Sequence, residues 1–427
     1  MRIVKRAVGA LLVVVLVAIL AVTGLLVWVT ARAFPQTSGR AAIPGLSANV
    51  AVVRDATGIA HITADTTHDL FMAQGYVHAS ERMWQMEVWR HISAGRLAEM
   101  FGASQLDTDK FIRTLGWRIT AQRDLDAVAP EARSVLDAYT EGVNAWLDGH
   151  RGSLGLAFLA AGVTPESWTD LDTLAWGKVQ AWNLGGNFDS EVFRYLADAQ
   201  LGDSARTDEL FPAYREDAPV ITPTGLAGSG GAGAHGPADV SVGSTAIASS
   251  KASRPIGPAE AAAWRSIAGL GQGLLQTAGL DAADGLASDH GIGSNDWVVG
   301  PAMSATGGAL LANDPHLGIS MPSIWFINGL HCRTVSDACP YDVAGVSFPG
   351  VPGVVLGHNA RIAWGATNID PDVPGPRHRE SRPGGPERVH PRWGIHPIRR
   401  PSRTDQGVRR GPVRLRDPID RARPDPQ

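Results

Sequence analysis

One internal motif constrains this chain more than any other feature. It is Gly-Ser-Asn-Asp-Trp at residues 293–297, followed closely by Ala-Asn-Asp-Pro-His-Leu at residues 312–317. A long stretch rich in Gly, Ala and Ser precedes it. Downstream, the apolar runs at 297–299 and 310–312 predict two short strands joined by a glycine-containing turn. The segment therefore has a sequence pattern expected at the N-terminus of a protein, although it lies deep inside the chain.

A serine at the start of a strand, directly after a flexible spacer, can act as a nucleophile once the chain is cut before it. If the chain is cut between Gly293 and Ser294, the freed α-amine has an ordinary pKa near ~8. That amine can accept the proton of the hydroxyl on the same residue, so one residue supplies both nucleophile and base. Gly293 lacks a side chain and permits the strained backbone that an N-to-O acyl shift requires. A polar turn before an ordinary strand is the alternative interpretation.

Further motifs accompany this one. They are Val-Arg-Asp-Ala-Thr-Gly-Ile-Ala-His-Ile at 53–62, a segment at 69–87 that ends in His-Ala-Ser-Glu-Arg-Met-Trp-Gln-Met-Glu, Gly-Arg-Leu-Ala-Glu-Met-Phe-Gly at 95–102, and Gly-Val-Ser-Phe-Pro-Gly-Val-Pro-Gly at 345–353. Over residues 49–373 the chain resembles the penicillin acylase family of Ntn hydrolases. The resemblance implies an α+β fold, the αββα four-layer sandwich, incomplete in this chain. It also implies hydrolysis of linear amides in penicillins, cephalosporins, acyl-homoserine lactones or related acyl amides.

The N-terminus predicts export. Three basic residues precede an uncharged apolar run at residues 7–29, and Ala-Arg-Ala at 31–33 is a candidate cleavage site. The run is longer than the usual ~7–15 residues of a signal peptide core. It reaches the roughly 20 residues that span a bilayer. We predict a membrane segment at residues 1–33, either an uncleaved anchor or a cleaved signal. The catalytic part then lies outside the cytoplasm, membrane-anchored or secreted.

Composition divides the following residues into regions. Residues 34–217 are predicted to be mostly helical after an opening hairpin, and the resemblance makes them α-subunit-like. Residues 218–293 have linker composition with one weak helical stretch, and they match the spacer that the family removes during maturation. Residues 294–373 are predicted to be strand-rich and to begin the β-subunit. The resemblance implies that processing yields an α/β heterodimer from one precursor.

The last region, residues 374–427, contains 14 Arg, 11 Pro and no Lys. A basic tail can bind anionic lipid or nucleic acid, so an interaction protein is one alternative. We interpret the region instead as a GC-rich gene translated out of frame, and expect no nucleic-acid partner. A shift of one nucleotide after Val373 can restore Gln-Asp-Leu-Val-Ile-Glu, a segment typical of the family. A truncated, membrane-tethered protein without turnover is the second alternative.

The resemblance implies roles for residues near the cleavage site. Ser294 is the nucleophile, His316 orients its hydroxyl and helps to move its proton, and Leu317 lines the acyl pocket. The backbone N–H of Asn368 is one oxyanion donor, and its partner is a downstream Asn for which this chain has no matching segment. The expected ligand is a small acyl amide, and no organic cofactor is implied. Ordinary loop and core packing are the alternative roles of His316 and Leu317.

The resemblance also implies a structural calcium ion. Glu191 is its first candidate ligand, and Asp370 and Asp372 are the candidate carboxylates that follow a Trp-Gly-x-Thr strand. Calcium takes six to eight oxygen ligands, so we expect this site to be incomplete. A surface glutamate on a helix is the alternative interpretation of Glu191.

Two cysteines occur, Cys332 and Cys339, on either side of a polar turn. Outside the cytosol such a pair can close a hairpin disulfide, and two free thiols are the alternative. A zinc site is disfavoured because no second Cys/His pair is placed to complete four ligands. The absence of a Gly-x-Ser-x-Gly elbow and of a P-loop disfavours a Ser-His-Asp hydrolase and a nucleotide-binding protein.

Overall fold

The computed structural model describes residues 2–185, 188–210, 257–277, 294–315, 317, 320–368 and 410–416. The helices of these residues are α1 Arg2–Ala31, α2 Thr67–Ala94, α3 Leu97–Phe101, α4 Leu106–Leu115, α5 Trp117–Ala127, α6 Pro130–His150, α7 Leu156–Ala161, α8 Asp170–Gly185, α9 Phe188–Leu201, α10 Ser204–Asp208 and α11 Pro258–Thr277. The strands are β1 Gly39–Pro44, β2 Val50–Arg54, β3 Ala60–Ala64, β4 Asn295–Val299, β5 Leu310–Asp314, β6 Phe326–Cys332, β7 Asp342–Ser347, β8 Leu356–Asn359, β9 Ala363–Trp364 and β10 Arg410–Arg416. The α+β prediction is confirmed, and the four-layer sandwich stays a prediction.

The chain divides into two compact units. The first comprises Met1–Gly185, Gly273–Val373 and Arg379–Gln427, and the second comprises Gly186–Gln272 and Pro374–His378. Within the second unit, the ring of Tyr195 on α9 packs on Trp264 of α11 with centroids 5.3 Å apart. The Tyr195 hydroxyl also donates to the carboxylate of Glu260 at 3.1 Å. The helical stretch predicted inside the spacer is therefore present as α11.

Helix α1 contains the apolar N-terminal run. Within Arg6–Ala31, an 18-residue stretch reaches a mean hydropathy of 3.2 and is exposed, so this part of the helix is long and apolar enough to cross a membrane. A signal sequence near the N-terminus has the same properties, so the anchor and the cleaved signal both stay open. The guanidinium of Arg32, just after the helix, lies 4.3 Å from the ring centroid of Trp28.

Helix α2 is the central helix of the first unit. The side chain of Thr66 accepts a hydrogen bond from the Asp69 N–H and begins the helix, and Gly95 ends it with a φ of 62°. The helix is buried on most of its circumference because it contacts α6, α8 and the sheet. This explains why its sequence lacks a clean polar face.

Two glycines allow α2 and α6 to touch through their backbones. A Cβ atom on Gly75 would lie 2.1 Å from the carbonyl oxygen of Tyr139, and one on Gly142 would lie 1.8 Å from that of Met72. No side chain fits at either distance. The two helices can therefore cross closely only with glycine at both positions.

The main sheet has eight strands in the order β1-β10-β2-β3-β6-β7-β8-β9. Strands β2 and β3 form the predicted opening hairpin, and alternate residues of both are buried against the core. Strand β3 then pairs in parallel with β6, from Ala60 opposite Asn328 to Ala64 opposite Cys332. This pairing joins the chain before residue 218 to the chain after residue 293. Strand β10, from the predicted out-of-frame tail, lies between β1 and β2.

Strands β4 and β5 form a separate two-stranded antiparallel sheet. Their register places Asn295 opposite Asp314 and Val299 opposite Leu310. Trp297 is 71% exposed and Val298 is 73% exposed. Together with β6 to β9, these strands make the described residues between 294 and 368 rich in strand.

The two cysteines are joined. Cys332, the last residue of β6, forms a disulfide with Cys339, and their Cα atoms are 5.7 Å apart. The Cys332 N–H donates to the carbonyl oxygen of Tyr341 at 2.7 Å, which closes the hairpin between β6 and β7. The predicted pairing is confirmed.

Candidate active site

Ser294 lies immediately before β4 and is half-buried. The two short strands predicted around the motif are present as β4 and β5. Because Asn295 pairs with Asp314, Ser294 sits at the end of the ribbon where β5 leads into Pro315. Gly293 and His316 lie outside the described residues, so their predicted roles stay predictions.

Asn313 on β5 connects the start of β4 to a third segment. Its Nδ2 donates to the carbonyl oxygens of Asn295 and of Ala366, each at 3.1 Å. Its Oδ1 accepts the N–H of Ala366 at 3.3 Å. Asn295 is the neighbour of Ser294, and Asn368, which is half-buried, lies two residues after Ala366. One side chain therefore ties the backbone beside the predicted nucleophile to the segment with the predicted oxyanion donor.

The loop after β5 carries Leu317, which is half-buried. Its N–H donates to the carbonyl oxygen of Pro315 at 3.2 Å. The same oxygen accepts the indole N–H of Trp325 at 3.1 Å. The Trp325 ring stacks on Phe348 with centroids 4.4 Å apart. An aromatic pair thus lies beside Pro315, two residues before Leu317, and no motif in the sequence indicated it.

Helix α2 anchors the chain that follows this loop. Arg82 donates to the carbonyl oxygen of Ser323 at 2.8 Å, and its guanidinium lies 5.4 Å from the ring centroid of Phe326. Gln85 donates to the carbonyl oxygens of Pro322 and Ser323, each at 3.2 Å. Burial lowers the pKa of Arg82 from its usual value. The motif at residues 69–87 therefore supports the region that follows the serine.

A buried network joins α2, α6 and the sheet. The ring of His78 lies between the hydroxyls of Tyr139, 2.7 Å from Nδ1, and Ser347, 3.1 Å from Nε2. Asn328 lies 3.1 Å from Nε2 as well. Burial, and secondarily the charge of Arg82, lowers the pKa of His78 to about 3. The imidazole is therefore neutral at physiological pH.

This serine–histidine pair has a structural role. Ser347 is fully buried, and its hydroxyl donates to the carbonyl oxygen of Phe326 at 3.0 Å. In the described part of the chain, no carboxylate forms a hydrogen bond with His78, and its Nδ1 faces the Tyr139 hydroxyl instead. A substrate has no access to such a pair, so it does not constitute a Ser-His-Asp site.

The predicted calcium ligands are only partly described. Glu191 lies on α9 and is half-buried. Asp370 and Asp372 lie outside the described residues. Within the described ranges, no group of three or more His, Cys, Asp or Glu side chains is placed to hold a metal ion. The calcium ligand set therefore stays a prediction.

A half-buried serine immediately before a strand, within a mixed α+β fold, agrees with the class that the sequence analysis expects, the Ntn hydrolases. The sequence model of the penicillin amidase family matches residues 49–404. The chain belongs to the penicillin amidase family. The matched range runs past Val373 into the tail that we interpret as out of frame.

Two curated relatives agree with this assignment. The chain is 32% identical over 340 residues to the acyl-homoserine lactone acylase QuiP of Pseudomonas aeruginosa, covering 79% of this chain and 35% of the relative. It is 32% identical over 342 residues to the penicillin acylase 2 proenzyme of Pseudomonas sp. strain SE83, covering 80% and 39%. A solved thermostable penicillin G acylase from Alcaligenes faecalis is 23% identical, with a TM-score of 0.36, over 44% of this chain and 98% of that one. The chain spans less than two fifths of the length of the two curated relatives.

Proposed function

We propose that this chain, with its reading frame restored after Val373, is the precursor of an amidohydrolase that cleaves linear acyl amides with Ser294 as its nucleophile. The supporting observation is the link that Asn313 makes between Asn295 and Ala366, because it brings the nucleophile's strand and the predicted oxyanion segment together. Family membership supports the same reaction. The substrates would be β-lactam antibiotic side chains or acyl-homoserine lactones, the two classes suggested by the relatives' names.

In the proposed reaction, the Ser294 hydroxyl attacks the acyl carbonyl and passes its proton to the free α-amine. The oxyanion accepts a hydrogen bond from the Asn368 N–H, a donor of a kind that is typically worth about 3–4 kcal/mol of barrier. The C–N bond breaks, and the leaving amine takes up the proton. Water then attacks the acyl-enzyme and releases the acid, which regenerates the serine. His316 would orient the hydroxyl and Leu317 would line the acyl pocket.

Maturation is part of the proposal. Cleavage between Gly293 and Ser294 would create the α-amine and leave an α/β heterodimer in the αββα four-layer fold. The parallel pairing of β3 with β6 would keep the two subunits associated after the cut. A calcium ion would be held by Glu191, Asp370 and Asp372. The apolar helix would anchor the protein to a membrane or direct its secretion.

The test is intact-mass analysis of chain whose reading frame has been restored after Val373. A new terminus at Ser294, absent in Ser294→Ala, is the expected result. The same samples are then assayed for hydrolysis of a panel of chromogenic acyl amides. A new terminus at any other residue, or hydrolysis that persists in Ser294→Ala, would refute the proposal.

A second candidate is a membrane-tethered protein without turnover. The exposure of Trp297 and Val298 favours it, because an apolar two-stranded sheet with open edges lacks the cover that a formed site requires. It predicts that the 427-residue chain stays uncut and inactive.

A further inference from the structure

We propose that Asn313 is a positioning residue: its side-chain amide holds the strand that begins beside Ser294 in a fixed relation to residues 365–368. That Asn313 holds the two segments together rests on its hydrogen bonds alone. Its consequence for catalysis rests on the proposed function.

Nearly all hydrogen-bonding capacity of the Asn313 side-chain amide is satisfied. Both of its N–H bonds go to main-chain carbonyl oxygens, those of Asn295 and Ala366, and its oxygen accepts the N–H of Ala366. The two bonds to Ala366 copy the paired donor and acceptor of a β-bridge. The third bond reaches across to the neighbouring strand. A side chain with one donor group and one acceptor group in this arrangement must be an amide.

Gly365 makes the close approach possible. A Cβ atom at Gly365 would lie 2.9 Å from both Cβ and Cγ of Asn313 and 3.0 Å from its Oδ1. These distances are shorter than van der Waals contact, so any side chain there would push the two segments apart. Asn313 and Gly365 are thus two halves of one contact.

The consequence for the site follows from the position of the contact. It lies one residue from Ser294 on one side and two residues from Asn368 on the other. An oxyanion donor works only when it lies about 2.7–3.1 Å from the developing charge. A displacement of about 1 Å can cost about 10²-fold in rate. Holding the two backbones together is therefore a requirement for the proposed chemistry.

The chain offers a matched control at Asn359. That side chain uses only its oxygen in the turn after β8, where it accepts the N–H groups of Arg361 and Ile362, each at 2.8 Å. Asn359→Asp keeps both bonds. Asn313→Asp instead places carboxylate oxygen against two carbonyl oxygens. The same substitution is therefore expected to disrupt one position and spare the other.

The first measurement is hydrogen exchange in the full 427-residue chain. In Asn313→Ala and Asn313→Asp, amides of β4 and of residues 365–368 should exchange at least about tenfold faster than in the wild type, and in Asn359→Asp they should not. Gly365→Ala should reproduce the effect of Asn313→Ala. Unchanged exchange in both Asn313 variants overturns the proposal.

The second measurement is steady-state kinetics in the frame-restored chain. Asn313→Asp should lower kcat about 10²-fold with KM changed less than threefold, because ground-state binding does not use the oxyanion donor. An unchanged kcat, or an equal loss in Asn359→Asp, overturns the positioning role. If the wild-type frame-restored chain hydrolyses no amide, the proposed function fails, and the exchange data still decide whether Asn313 holds the two segments together.

Discussion

The Nδ1 atom of His78 lies 2.7 Å from the hydroxyl oxygen of Tyr139, and both side chains are fully buried. This contact links the two longest helices after the N-terminal one. Through Asn328 and Ser347 it extends to β6 and β7, which follow the predicted spacer. A neutral histidine therefore joins two parts of the chain that are far apart in sequence.

The first prediction concerns the pH dependence of stability. The pKa of His78 is lowered from 6.5 to about 3 by burial and by Arg82, so the unfolded chain binds a proton that the folded chain excludes between these values. The free energy of unfolding should therefore fall as the pH falls from 6.5 toward 3, by up to about 1.4 kcal/mol per pH unit from this site. Urea unfolding at several pH values should show this slope, and His78→Asn should reduce it relative to wild type. An equal slope in both proteins would contradict the assignment.

The second prediction concerns the crossing of α2 and α6. Gly142→Ala should destabilise the protein by about 1–3 kcal/mol or more, because the new methyl overlaps the carbonyl group of Met72. Gly149→Ala, in the same helix but with no atom within 4 Å of the new methyl, should be neutral or stabilise by up to about 1 kcal/mol. Thermal unfolding of the two variants beside the wild type provides the comparison. Similar melting temperatures for the two variants would show that the backbones do not touch.

The third prediction concerns Cys332 and Cys339. Exported protein alkylated without reductant should show no added mass, whereas reduction first should expose two thiols. The bond encloses a sequence separation of only 7 residues. Because a short loop restrains the unfolded chain modestly, Cys332→Ala with Cys339→Ala should cost a few kcal/mol at most, on the order of 2–3. Two alkylated thiols in unreduced protein would contradict the pairing.

The fourth prediction concerns the junction at Val373. The 427-residue chain should neither cut itself efficiently nor hydrolyse amides, whereas the chain with the restored frame should do both. The resemblance implies a downstream Asn as the second oxyanion donor, and loss of one such donor alone costs about 10²–10³ in rate. Turnover of chromogenic acyl amides by the two chains, measured side by side, gives the comparison. Comparable Ser294-dependent turnover by the 427-residue chain would show that residues 374–427 belong to the enzyme.

Sequencing the DNA across the same junction tests whether a frameshift produced the tail. A one-nucleotide shift relative to related genes is the expected finding. An intact frame would leave the Arg- and Pro-rich tail as native sequence. The family match to residue 404 and the pairing of β10 in the sheet would then be properties of native sequence.

The sequence by itself determined the features that depend on neighbours in the chain. Local periodicity, composition or spacing predicts the strands on either side of the turn after Ser294, the apolar helix α1, helix α11 and the hairpin disulfide. Each is stabilised by residues within a few positions of one another, so a pattern in a short window contains the relevant physics. The motifs also sufficed to identify the family.

Only the tertiary structure decided the contacts between distant residues. Asn313 and Ala366 are 53 positions apart, and His78 and Ser347 are 269 apart. In the sequence, Asn313 is one polar residue in a strand, Gly75 is one glycine in a helix, and His78 is one histidine in a motif. Their roles depend on which backbone lies opposite them, and the parallel pairing of β3 with β6 and the crossing of α2 with α6 determine that arrangement. Periodicity specifies which face of an element is buried, whereas the partner on that face is set by packing the whole chain.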